Sequence, residues 1–439
     1  MSFVLNLDTA RNPRLQIWSA CEHALRYTAA GLGPRRVRTM ATSQNRALVN
    51  NLLLLLALLT FLIWFTRYSP DRLKGTDFPD FYAAARMVQE GRGHELYKVG
   101  AQDEYLARYS GRLGTYFIHP PVETLLYLPF SMWPLYRGYQ LWCGLNVVLL
   151  VMVAKLFARY AIAEWNWRVV LPCLFLFPPV LLNLLQGQDA VLLLLLLTSA
   201  FAALRNKREF AAGCLLACGL FKFHLVLAAF LPLLFGTSKR LLTGFASVAL
   251  ALLLISAKVS GWAFLVEYPR FLVSLGSLPM AGIHNQQKAN LRGLFGLLFP
   301  DMTHFVMILT ISTSLLVLWL AVRGCTACAR SGQPIRNLAF ANAVIAAVLV
   351  SYHLSPHDLT ILLLPMALIL SHALTCTDPP RNLRLAFFGT LGILFLPPLY
   401  LWLLNEHLYT YIGIPVLMLF GLTYAEIQRL SIQQPSNGS

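Results

Sequence analysis

The hydrophobic pattern divides the chain into long apolar runs joined by short polar links. The runs are about 17–22 residues long, the length at which a helix rising 1.5 Å per residue crosses ~30 Å of hydrocarbon. They fall at about 47–66, 138–158, 169–186, 189–205, 240–258, 304–322, 337–352, 359–375, 385–404 and 411–427. Between them, "EFAAGCLLACGLFKFHLVLAAFLPLLFGTSKR" has basic residues at both ends and the length of two short helices with "FKFH" at the bend. The pattern predicts an all-α polytopic membrane protein with about twelve transmembrane helices. No internal repeat is visible, which separates it from the inverted-repeat transporters.

The polar links divide by side. Residues 1–46 hold seven arginines against Asp8 and Glu22, and so form a basic arm that sets the N-terminus in the cytoplasm. Met40 opens "MATSQNRALVNN", which reads as a natural start, so residues 1–39 are expected not to be native. A transmembrane domain over 47–427 and a cytoplasmic tail over 428–439 follow, with two large loops, 67–118 and 259–301, on the extracytoplasmic side. In the first loop, short amphipathic helices are expected at 79–90 and 101–110. Phe78, Phe81, Tyr82, Ala85 and Val88 recur at helical spacing before the stops Gly91 and Gly93, a pattern that suits a helix lying on the membrane surface. "HPPVETLLYLPFSMWPL" is apolar but broken by four prolines, and reads as a re-entrant or juxtamembrane piece.

Composition agrees with this threading. Apolar residues make up 57% of the chain and charged residues 12%, against about a quarter charged in soluble domains. The net charge of +16 sits in small clusters between apolar runs, as positive-inside loops require, and not along one face that would bind nucleic acid. Most of the eight cysteines lie within apolar runs; Cys325 and Cys328 have CxxC spacing with no second pair, so a zinc site is not expected. "GRG" at Gly91 is too short for a phosphate loop, and no GxGxxG follows a strand.

Several polar residues need an account. Asp77 and Asp80, in "GTDFPDFY", suit an N-cap and the third helical position around Pro79, and a carboxylate at the membrane rim also suits a base. Lys222 is ionisable within apolar sequence, where such residues face a cavity or a partner, or snorkel to an interface. "QGQD", Gln186 to Asp189, is either an ordinary turn or a set of hydroxyl-binding side chains. "HNQQKANLR" supplies Asn290 and Arg292, and an arginine can hold a phosphate with a planar fork. "SYHLSPHDL" places His353, His357 and Asp358 at the end of a span, with Pro356 breaking the helix. These clusters are all expected on one membrane face, and that convergence points to a site.

The ordered set "DFPDFYAAARMVQEGRGHELY", "IHPPVETLLYLPF", "LLQGQDAVLLLL", "AGCLLACGLFKFHLVL", "ANLRGL" and "SPHDLTILLLP" resembles glycosyltransferase family 87, from about Asn50 to Glu426. The resemblance implies the C-type glycosyltransferase fold in a bacterial inner membrane. It also implies transfer of a sugar, with mannose the better-known case, from a polyprenyl-phosphate donor to a lipid or glycan hydroxyl, with inversion. A donor on a lipid needs no nucleotide-binding fold and its leaving phosphate demands no metal, so no cofactor or metal is expected. On that reading Asp77 or His357 is the base and Lys222 and Arg292 hold the donor phosphate. Asp80, Tyr82, His119, Gln186, Gln188, Asp189, His224, Asn290, His353 and Asp358 are candidates for sugar or acceptor contacts. The family places its acidic residue in a context that matches Asp77; its late His–His pair is His357-Asp358 here. Membrane lipids are the expected surroundings and a monomer the expected state. The rival readings are a transporter or flippase of a lipid-linked sugar, and a non-catalytic assembly subunit.

Overall fold

The computed structural model describes residues 69–275, 288–328, 332–376 and 380–433, with Asn51, Leu52, Leu55, Leu56 and Leu59. It divides into two units, 1–58 and 59–439. The described positions of the first are helical. The basic arm, most of the expected span 47–66, His284 and the last residues of the tail lie outside the described residues.

In the second unit all regular structure among the described residues is helical. Among the described residues six helices are long and apolar enough to cross a membrane: Leu135–Ala161, Lys239–Ser260, Thr303–Ala327, Gln333–Val350, Pro356–Thr375 and Tyr409–Gln433. Three further apolar stretches are bent pairs, Trp167–Leu176 with Pro178–Gln186 (69°), Glu209–Cys218 with Leu220–Phe235 (61°), and Arg381–Leu394 with Pro397–Asn405 (53°). Counting each pair once gives nine candidates, with the shorter Ala190–Arg205 beside them. The expected twelve are not reached. The run 47–66 falls largely outside the described residues, and 209–235, counted as two spans, forms one bent unit.

Chain chemistry sets the breaks. Pro178–Pro179 and Pro397–Pro398 open second halves, where a missing N–H and a fixed φ suit a first helical turn but not a helix interior. The 209–235 unit is the pair of short helices that the sequence indicated. Glu209 accepts a hydrogen bond from the Ser238 backbone N–H at 3.1 Å, so the two ends lie side by side and Lys222 takes the apex of a V.

The segment between the first expected span and Leu135–Ala161 differs from expectation in one respect. Helices form at Phe78–Gln89 and Val99–Ser110 as the spacing predicts, and Thr124–Ser131 is too short to span. The aromatic face of Phe78–Gln89 does not lie open to lipid, however. Phe78, Phe81, Tyr82 and Met87 are buried. Phe81 stacks on Tyr127 with centroids 4.4 Å apart, Tyr127 meets Trp142 at 4.4 Å, and Phe78 meets Tyr139 edge-on at 5.4 Å. Rings of roughly 150–250 Å² bury a large area against one another, and such pairs add about 0.5–1.5 kcal/mol beyond that area.

Candidate active site

A cavity of about 430 Å³ takes its polar lining from five chain segments, with Leu404 of Pro397–Asn405 adding an apolar contact. The start of helix Phe78–Gln89 brings Asp77 and Asp80, and the strap before Pro120 brings Arg112, Thr115 and His119. The turn after Pro178–Gln186 brings Gln186 and Gln188. The V apex brings Lys222 and His224, and the segment entering Pro356–Thr375 brings His353, His357 and Asp358. Its size is in the range of small-molecule sites, roughly 300–1,000 Å³.

Lys222 is the electrostatic centre. Its ammonium is 3.1 Å from Asp189 and 2.9 Å from Asp358, and all three side chains are almost fully buried. A buried charge needs such partners, because leaving water costs several kcal/mol per ion. The other Asp358 oxygen accepts the Ser355 N–H at 2.8 Å, closing a capping box. Asp358 is thereby occupied on both oxygens, and His357 stands 3.6 Å from it, beyond hydrogen-bond distance.

The "QGQD" turn is built rigidly. Gly187 adopts φ +68°, and a Cβ there would come 2.6 Å from the Phe78 Cβ. Buried Asn183 accepts the Ala190 N–H at 2.8 Å and donates to Asn146 at 3.2 Å, which fixes the turn from below. Gln186 then accepts the Asp77 N–H at 3.1 Å. Gln188 is held from both ends: its carbonyl faces the Lys222 ammonium at 3.4 Å, and its amide donates to Asp77 Oδ2 at 2.7 Å.

Asp77 holds the N-cap position of Phe78–Gln89, but its side chain makes no capping hydrogen bond. The carboxylate turns into the cavity instead. Burial raises its pKa against the pull of Gln188 and Lys222. Asp80 is pushed up to about 7 by burial and then by the charge of Asp77, while the Thr115 hydroxyl, donating at 2.8 Å, works the other way.

His119 and Glu123 form a second buried pair, Nδ1 to carboxylate, 2.9 Å apart. Burial brings His119 down to about 4 and Glu123 up to about 8, so near neutral pH the pair carries no net charge. His353 is also brought down to about 4 by burial. Sequence reading named His119 and missed Glu123, Arg112, Thr115 and Ser355. An i,i+4 His–Glu pair in "HPPVE" was the available signal for Glu123; nothing local marked the others.

Not every expected residue reaches the cavity. Asp77, Asp80, His119, Gln186, Gln188, Lys222, His224, His353, His357 and Asp358 line it, and Asp189 lies behind Lys222. Tyr82 is drawn away, its hydroxyl donating to the Trp133 carbonyl at 2.8 Å. Asn290 caps helix Leu291–Leu298 through Gly293 N–H at 2.9 Å and donates to Ser351 O at 2.6 Å. Arg292 covers the ring of Tyr352, 4.1 Å from its centroid, and is not among the lining residues.

Elsewhere, His372, Cys376 and Glu426 bring ligand-type atoms within 4.8 Å of one another. Arg429 donates to both Glu426 oxygens at 2.7 Å, so a cation already occupies that carboxylate. Cys325 is buried with its thiol toward the Ala339 carbonyl, and the side chain of Cys328 is outside the described residues.

No curated protein and no solved structure matches the chain significantly. The model of glycosyltransferase family 87 matches residues 117–352, more than half of the 439. That stretch contains His119, Glu123, the "QGQD" turn and Lys222; the fold brings Asp77, Arg112, His357 and Asp358 to it from outside. The chain belongs to glycosyltransferase family 87, and is a membrane glycosyltransferase.

Proposed function

We propose that the protein moves a sugar, mannose being the first to test, from a polyprenyl-phosphate donor to a hydroxyl of a lipid or glycan acceptor, with inversion. The reading places it in a bacterial inner membrane as a C-type fold with the cavity on the extracytoplasmic side. Asp77 is the general base. The observation that carries this role is its carboxylate: aimed into the cavity, fixed by the Gln188 amide at 2.7 Å, and not used as a helix cap. A base must lie within hydrogen-bond reach of the acceptor and have a pKa near the working pH, and burial moves Asp77 in that direction. His357 has the same access but no carboxylate in hydrogen-bond contact to orient it. His224, whose buried Nε2 has no hydrogen-bond partner among the described residues, is a candidate contact for a sugar hydroxyl. Lys222 serves as an internal counter-charge, since two carboxylates already take its ammonium.

Sugar transfer by Asp77→Asn, measured in detergent with labelled polyprenyl-phosphate donors, tests the role. Asparagine keeps the size and the hydrogen-bonding shape but is no base. Transfer is expected to fall at least 100-fold with an unchanged melting temperature. Retained transfer would remove Asp77 from the chemistry, and transfer absent from the wild type with every donor would favour the transport reading.

A further inference from the structure

The cavity walls carry two cations among the described residues, Lys222 and Arg112. Their surroundings differ. Lys222 is neutralised by Asp189 and Asp358. Arg112 makes no ion pair among the described residues; its Nη1 donates to two backbone carbonyls, Lys74 O and Thr76 O, each at 2.6 Å. Carbonyls orient a guanidinium without cancelling its charge, and the planar fork leaves Nε and Nη2 for a second partner.

The placement is built locally. Helix Val99–Ser110 ends at Gly111, whose φ of +71° turns the chain back, and Gly114 at φ +79° turns it again. Gly114 N–H donates to Asp103 at 3.1 Å, and Thr115 donates to Asp80 at 2.8 Å. The far end of the segment is thus tied to both preceding helices, Val99–Ser110 through Asp103 and Phe78–Gln89 through Asp80. Arg112 bridges from there to the turn just before Asp77, close enough to draw down the pKa of both Asp77 and Asp80. In an inverting displacement the base and the leaving group lie on opposite faces of the reacting carbon, so a phosphate receptor should share the cavity with the base without pairing with it. Arg112 meets that condition; Arg292, stacked on Tyr352 and outside the cavity walls, does not.

We infer that Arg112 is the phosphate-binding residue of this cavity, its free guanidinium edge receiving the phosphate oxygens of the donor. The inference rests on the transfer reading above and names the group that takes the negative charge left on the phosphate when the bond from the anomeric carbon to the phosphate oxygen breaks. Phosphate oxygens favour arginine because two parallel N–H donors can be offered at once.

The test is binding of farnesyl phosphate to the purified full-length protein in detergent, followed by calorimetry, for wild type, Arg112→Gln, Arg112→Lys and Arg292→Gln. Affinity is expected to drop at least tenfold in both Arg112 variants and to hold in Arg292→Gln. Inorganic phosphate that competes at equal concentration assigns the Arg112 site to a bare anion, and failure to compete assigns it to a lipid phosphate. Wild-type affinity in Arg112→Gln, loss of affinity in Arg292→Gln, or no binding by wild type would overturn the inference. Melting temperatures guard against misfolding, with Arg112→Lys retaining a cation that can reach a carbonyl. In the transfer assay the donor KM of Arg112→Lys should rise at least tenfold with a smaller change in kcat. An unchanged KM with a displaced pH profile would make Arg112 a tuner of Asp77 and would also overturn it. Arg112-dependent binding without sugar transfer by the wild type would sink the transfer reading and leave the phosphate site standing.

Discussion

Asp77 and His357 both line the cavity, and their surroundings separate them. The sequence offered each as a base. Only Asp77 has a fixed donor on one oxygen and an open face on the other, and its N-cap position, legible from "TDFPD", turned out to serve placement of the backbone more than capping by the side chain. Glu123 shows what local sequence hides, because its burial depends on residues far along the chain. Its carboxyl is raised to about 8 by burial, so the folded state favours its protonated form. The stability this gives is present below the ordinary carboxylate range and is lost as pH rises toward 8. Glu123→Gln should therefore melt near the wild type at pH 5 and increasingly above it at pH 7 to 8.5. A gap in melting temperature that stays constant with pH would show that Glu123 does not titrate there.

At the level of elements, the helix breaks carry the site. The prolines and the "FKFH" bend were readable in advance, because proline's geometry is local and an ionisable residue in apolar sequence is conspicuous. What sits at each break was not readable, because the partners of Lys222 come from the "QGQD" turn and from the start of Pro356–Thr375. Likewise the amphipathic pattern of Phe78–Gln89 gave the helix but not the surface it would cover, since aromatic rings suit a headgroup layer and a protein core alike. Two substitutions probe this level. Gly187→Ala adds strain at φ +68° and a contact with Phe78, and should cost roughly 1–3 kcal/mol, read as a lower melting temperature with weaker transfer. Lys222→Met leaves two buried carboxylates unpaired, a loss on the order of 3–5 kcal/mol. Adding Asp358→Asn should recover part of it; if the double variant melts lower still, the ion pairs are not what Lys222 supplies.

For the whole molecule, the reading requires the cavity to face away from the cytoplasm. Leu113, 63% exposed beside Arg112, and exposed Asn206, at the end of Ala190–Arg205, offer two reporters. With each changed to cysteine in a cysteine-free background, an impermeant maleimide applied to intact cells should modify Leu113→Cys and reach Asn206→Cys only after lysis. Modification of both from outside would overturn the assigned sidedness. The polytopic class was plain from hydropathy, because lipid demands long apolar helices, while the number of spans was not, because bent pairs and straight spans share one hydropathy profile. The Lys222 ion pairs also bear on how the chain is made. Synthesis delivers Asp189 first, Lys222 soon after and Asp358 only once most of the protein has been inserted. A nascent chain thus holds its ammonium with a single carboxylate until the last fifth of the polypeptide arrives. The second pair can form only when early and late segments have met, so a product truncated before Asp358 would carry an unfinished charge pair for quality control to recognise.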